Sequence, residues 1–418
     1  MSILNRPEPD RTRKRRLWTI PAPPPARWRR YEGAVILDDI QSSDGLALWA
    51  LLRDVLVWAV TPPDQRAGMF IGPAVVGEGG IPADLLPAAA SALLQLAEAP
   101  ESCTSRELAA ACRAVSLWAG TEGHVTTEHE FAEAVHHLLP NDPDSALFAG
   151  RAARHAGAFD RSEQWYRRAL GLARAQGDRQ AYVLALIRSG TLAEQRGDKA
   201  RARALHTQAW RSAKKYKLRK LGAYARHELL VLAIYTDSFE TAQEHARVAL
   251  RLYGRFDERF PQLAHDMAFL WAWHGHHSAA LPIYEAILPY IVRAGERIQV
   301  IANIGRAAAA MGDADRFYLA WDRVAANADQ AIEYRATALL ALANGARTLR
   351  RTDLAAELAS NAHQAAMLRG ESAVADLAQS LRSSLGENGD RDRPPTAEML
   401  EMREIVTARL SRNPPPIV

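Results

Sequence analysis

Gly150-Arg-Ala-Ala-Arg-His-Ala-Gly157, Gly190-Thr-Leu-Ala-Glu-Gln-Arg-Gly197 and Gly305-Arg-Ala-Ala-Ala-Ala-Met-Gly312 share one pattern: two glycines seven residues apart in an alanine-rich helical run. Glycine has no Cβ, so the first of each pair lets two helices of a hairpin approach where a larger side chain would hold them apart. The second ends the first helix, because it enters the left-handed region without a Cβ clash. Gly275 alone holds the second place in a further copy. Aligned on the first glycine, the register falls at 150, 190, 230, 268, 305 and 345, in steps of 40, 40, 38, 37 and 40 residues. Self-similarity at that period marks stacked helical hairpins, none of which can bury its apolar face alone. The expectation is an all-α repeat array over residues 141–385.

Asp198, Asp313 and Asp353 follow the helix stop, placed to cap the next helix. The helices that follow carry apolar residues at helical spacing: Trp165, Ala169 and Leu172 in the first copy, and Ala202, Leu205, Ala209 and Ala213 in the second. This pattern resembles the tetratricopeptide repeat family. Gly150, Phe159, Tyr166 and Ala169 carry the likeness in the first copy; Gly190, Ala202 and Ala209 in the second; Phe239, Ala242 and Ala249 in the third; Ala280 and Tyr284 in the fourth; Gly305 and Trp321 in the fifth. The likeness covers well over half the chain. The repeats exceed the family's usual length of about 34 residues and look like those in the sensor regions of some bacterial regulators. The family's first-helix tryptophan and repeat-ending proline are largely missing. The resemblance implies a right-handed superhelical α-solenoid of about six hairpins.

Around the array, residues 33–140 read as a mostly helical cap region. Leu46 to Val60 has helical length and is stopped by Thr61-Pro62-Pro63-Asp64. Further helices are expected near Asp84–Ala97, Ser105–Trp118 and Thr127–Leu139, and short strands at Glu32–Asp38 and Met69–Val76. Residues 1–32 are rich in proline and arginine with few aliphatics, which predicts a disordered arm. Residues 386–395 read as a polar linker, and residues 396–418 as a short helix and tail. The basic run from Arg11 to Arg16 is followed by prolines and by no apolar stretch, unlike a secretory signal. Arg53-Asp54 interrupts the longest apolar run, so membrane insertion is not expected and a cytoplasmic location is.

Catalytic signatures are missing. There is no phosphate-loop motif, no dinucleotide fingerprint and no nucleophile elbow, so no enzyme, cofactor or metal is expected. His129, Glu130 and Glu133 approach a zinc-protease helix, but Glu133 stands where its second histidine belongs. His136 and His137 follow, and His274, His276 and His277 flank Gly275; histidines at such a turn are expected in solvent. Cys103 and Cys112 are expected as buried apolar residues.

In the family that the array resembles, first helices line a concave groove. Carried over, the resemblance implies a protein- or peptide-binding surface made by Arg151, Arg154, Tyr224, His227, Tyr235, His265, Phe269, Trp273 and Arg306. Aromatics edged by arginines suit an amphipathic peptide with an acidic end. The charge pattern offers a rival. Residues 199–227 hold ten Lys/Arg and no acid, and residues 11–31 hold eight and none. Arg211, Lys214, Lys215, Lys217, Arg219 and Lys220 form a basic surface that could contact nucleic acid through its phosphates, although no nucleic-acid-binding motif is present.

Overall fold

The computed structural model describes residues 35–41, 43–68, 87–254, 257–327, 334–386 and 389–412. Among them are eighteen α-helices and no strand. The chain opens with α1 (Ser43–Val60), α2 (Pro87–Glu98), α3 (Ser105–Glu122) and α4 (Val125–Leu138). There follow α5 (Pro143–His155), α6 (Phe159–Gln176), α7 (Arg179–Gln195), α8 (Lys199–Lys215), α9 (Arg219–Thr236), α10 (Phe239–Leu252), α11 (Phe260–Trp273) and α12 (His277–Ile287). The last are α13 (Ala294–Ala310), α14 (Ala314–Ala325), α15 (Arg335–Thr348), α16 (Thr352–Arg369), α17 (Ser372–Ser383) and α18 (Ala397–Ser411). Each of α3 to α16 packs on the next, and first helices α5, α7, α9, α11, α13 and α15 also pack side by side in that order. This is the packing of an α-solenoid.

The glycine pattern acts as its chemistry requires. A Cβ on Gly150 would sit 2.5 Å from the Tyr166 ring of α6, and one on Gly190 would sit 2.4 Å from the His206 ring of α8. Gly157, Gly197, Gly275 and Gly312 all adopt left-handed backbone. Asp198 and Asp313 accept the backbone N–H of Arg201 and Arg316, as expected of caps. Asp353 lies inside the first turn of α16 and caps nothing. The sixth register position also shifts: Arg350 takes the left-handed turn. Counting back seven residues puts Ala343, not Gly345, at the close approach. Gly345 faces Phe317 of the preceding hairpin instead.

Val35–Asp38 is a 3-10 helix, not the expected strand. Ile36 is buried against α1 and α4 there, and helical turns let it reach both. Residues 32–34 and the expected strand at 69–76 lie outside the described residues, as does the arm at 1–32. The first core joins Leu48, Val55, Trp58, Leu93, Leu108 and Phe131 to Phe148 and Ala152 of α5, so it runs across residue 140. A larger core under α7 to α12 includes Met399, Met402, Val406 and Leu410 of α18. The C-terminal helix therefore folds back onto α12 and the neighbouring α10. The stretch before it is anchored: Arg393 N–H donates to the Gly275 carbonyl, Ser278 N–H donates to Asp392, and Asp390 pairs with Arg306.

The far end of the array returns to its start. Arg369 donates to the His155 carbonyl at 3.1 Å, and α17 touches α7. Arg293, at the head of α13, reaches Glu128 of α4 at 3.4 Å. The first helices thus lie side by side, and the face they share, the channel, is bridged by the Arg293–Glu128 contact between α13 and α4.

Candidate binding channel

Helical repeat spacing brings one face of each first helix to the channel, and those faces are polar. At one end Glu128 is fully buried. Its oxygens accept the His155 Nδ1–H at 3.0 and 3.1 Å, with Arg293 at 3.4 Å and Arg151 at 3.7 Å. Burial alone would raise its pKa, but His155, Arg293 and Arg151 outweigh it and hold the carboxyl well below the usual range. Further along, Glu228 accepts from Arg259 at 2.7 Å and from the Thr191 hydroxyl at 3.0 Å. Burial opposes its ionisation, yet Arg259, His206 and His227 bring its pKa down to about 2.

A chain of hydrogen bonds then crosses α9, α11, α13 and α15. His227 contacts the Tyr253 hydroxyl at 2.8 Å and Asp266 at 2.7 Å. Asp266 also accepts from His265 at 2.8 Å, whose other ring nitrogen meets the Asn303 amide at 2.9 Å. Gln299 lies between Asn303 and the Thr337 hydroxyl, which donates to it at 2.5 Å. Each imidazole directs one ring nitrogen to Asp266 and the other to a second polar partner. Burial disfavours the charge on Asp266, but the two imidazoles win and its pKa falls.

Of the residues expected in the groove, His265, Phe269 and Trp273 share one face of α11 and are partly exposed. The His265 and Phe269 rings stack at 6.3 Å, Phe269 and Trp273 lie 6.0 Å apart, and the Arg306 guanidinium lies 5.6 Å from the Trp273 ring. Arg151 is partly exposed and Arg154 is buried. Tyr224 and His227 are interior, at 4% and 2% exposure. Tyr224 donates to Asp257 and stacks under Arg259, so its hydroxyl points to the mouth of α11 rather than into the channel. The side chain of Tyr235 lies outside the described residues. Arg306 is engaged by the chain itself: Asp390 accepts from it at 2.7 and 3.0 Å.

Arg211, Lys214, Lys215, Lys217, Arg219 and Lys220 are all exposed, from the end of α8 to the start of α9. Lys220 pairs with Glu258 at 3.5 Å, and Arg219 donates to the carbonyls of Arg251 and Leu252. Arg211, Lys214 and Lys217 make no ion pair among the described residues.

The histidines and cysteines resolve into structure. Glu133 accepts from Arg161 at 2.5 and 2.6 Å, from His129 at 3.0 Å and from the Trp165 indole at 2.8 Å. Its oxygens are therefore filled by this network. His277 is fully buried, against the expectation of solvent, because the 389–395 stretch covers that turn. Burial and Arg306 bring its pKa down to about 4. Cys112 is fully buried, and burial pushes its thiol up to about 12.

Sequence reasoning missed Arg188, Glu228, Arg259 and Asp266. Arg188 stands on α7 three residues before Thr191, whose hydroxyl meets Glu228, and that i, i+3 spacing was the available signal. No helix among the described residues is long and apolar enough to cross a membrane. No protein-family model matches the chain, and no curated protein matches it in sequence.

Proposed function

We propose that the chain is a non-catalytic binding scaffold, a right-handed superhelix of six hairpins (α5 to α16) with a helical N-terminal cap, that holds a protein or peptide in its channel. The observation that carries this reading is the partly exposed ladder of His265, Phe269 and Trp273 beside a channel lined with charged groups. Aromatic anchors bordered by hydrogen-bonding side chains are the usual composition of a recognition surface, where a few residues dominate affinity. The tetratricopeptide-like pattern supports the same use of the first helices. The test is amide hydrogen exchange on the full chain with and without the protein or peptide that co-purifies from its native cells. Slowed exchange in α7, α9, α11 and α13 supports the channel; slowing confined to α8 and the α8–α9 turn refutes it.

A second reading draws on the exposed, acid-free cluster of Arg211, Lys214 and Lys217. It is that this outer edge contacts nucleic acid phosphates. Such binding falls steeply with salt, and Lys214→Glu with Lys217→Glu lowers both affinity and the salt slope. A partner that binds equally at 50 and 300 mM salt, or about so, removes this reading.

A further inference from the structure

Residues 389–395 are neither helix nor turn, and none of them is buried. This strap is held by polar contacts. Asp390 accepts from Arg306 at 2.7 and 3.0 Å, with Arg347 at 4.0 Å and the His277 ring at 3.8 Å, and its N–H donates to the Thr348 hydroxyl at 3.0 Å. Two residues on, Asp392 accepts the Ser278 N–H at 2.9 Å. The Arg393 N–H donates to the Gly275 carbonyl at 2.8 Å, and the His276 Nδ1–H donates to the Pro394 carbonyl at 3.0 Å. The helix that follows is held differently: α18 buries Met399, Met402, Val406 and Leu410.

The seat under the strap recognises acid at two points. Helices α8 and α14 are capped by the aspartate that follows their turning glycine, Asp198 and Asp313. In α12 that place belongs to His276, whose side chain gives no cap. The first-turn N–H groups of α12 therefore suit a carboxylate from elsewhere, and Asp392 supplies it. Arg306, only 6% exposed, is the second point and takes Asp390. Backbone fit adds a third requirement. A Cβ on Gly389 would sit 2.3 Å from the Thr348 Cα, so the strap enters at a position without a side chain. Contacts of this kind exchange with a competitor of equal chemistry, because each hydrogen bond lost is replaced by one like it.

We propose that the ends of α13 and α15 and the α11–α12 turn form a receptor for an Asp-x-Asp peptide segment, which residues 389–395 fill in the free chain and which a partner's segment of the same chemistry takes over by displacing them. The apolar face of α18 keeps that helix in place when the strap leaves. The partner's identity rests on the aromatic ladder being its surface, since Arg306 lies 5.6 Å from the Trp273 ring. The probe is a labelled synthetic peptide of residues 389–396, followed by fluorescence anisotropy, with a control peptide carrying asparagine at both aspartates. A tethered segment competes at an effective concentration on the order of mM. Full-length wild type is therefore expected to bind the acidic peptide at least about tenfold more weakly than Gly389→Ala, which pushes the strap from its seat and leaves every receptor group intact. The asparagine peptide should bind Gly389→Ala at least about tenfold more weakly than the acidic one. A second measurement needs no variant: saturating acidic peptide should speed amide exchange at Asp390 and Arg393 of wild type and leave α18 protected. The proposal is overturned if the two peptides bind equally, if wild type and a folded Gly389→Ala bind equally, or if exchange at Asp390 and Arg393 is unchanged. If the peptide displaces the strap while Phe269→Ala with Trp273→Ala keeps full affinity for the co-purifying partner, the receptor stands and the ladder reading fails. If that variant loses the partner while the peptide displaces nothing, the ladder stands and this proposal falls.

Discussion

Replacing Glu128 by glutamine tests the charge network that bridges α4 and α13. The carboxylate is fully buried, with His155 at 3.0 Å, Arg293 at 3.4 Å and Arg151 at 3.7 Å around it. Glutamine keeps the shape and one carbonyl acceptor but removes the charge that three cationic or polar partners share. Breaking a buried pair from one side costs about 3–5 kcal/mol, because the remaining charges stay desolvated. Arg293 and Arg151 are partly exposed, at 21% and 29%, so water recovers part of that and the expected loss is about 2–3 kcal/mol. The pH dependence follows from the same contacts. The folded pKa of Glu128 lies below its unfolded value, so its stabilisation is full above about pH 4.5 and is lost as pH falls through the folded pKa. Urea midpoints at pH 7 and at pH 4 measure both effects. Glu128→Gln should lower the midpoint at pH 7 and reduce the difference between the two pH values. A variant within about 0.5 kcal/mol of wild type at pH 7 would show that the pairing does not hold the two ends together.

Gly190→Ala should destabilise by up to about 2 kcal/mol, since overpacking costs about 1–3 and better helix propensity returns about 1; its Cβ would press on the His206 ring. Combining it with His206→Ala should recover part of the loss in a thermal melt, and strict additivity would disprove the close approach. Asp390→Asn weakens the bond to Arg306 and should loosen the stretch that carries α18. Limited proteolysis should then cut between residues 386 and 396 sooner than in wild type, and an unchanged rate would show that the anchoring lies elsewhere.

The sequence made the array legible because its glycines do local work. Gly150 and Gly190 are needed at a helix crossing, and Gly157, Gly197, Gly275 and Gly312 at a left-handed turn. Both requirements show in a short window. The register failed in the sixth copy, where Arg350 takes the turn that glycine takes elsewhere. A glycine close by, Gly345, answers a different contact. The channel was harder to read. One residue of register is about 100° around a helix, enough to turn Tyr224 inward. Long-range contacts had no local signal at all. Arg306 was expected to meet a ligand and instead meets Asp390, 84 residues on. Glu128 meets Arg293 across 165 residues.

The most direct measurement of the central claim is a calorimetric titration of the co-purifying protein or peptide, resynthesised, against three forms of the full chain. These are wild type, Phe269→Ala with Trp273→Ala, and Lys214→Glu with Lys217→Glu. Truncating anchors at a recognition surface costs about 2 kcal/mol or more each, so the doubly truncated channel variant should bind roughly several-hundred-fold more weakly while the outer-edge variant binds as wild type does. Unchanged affinity in a folded channel variant, with loss in the outer-edge variant, would contradict the account.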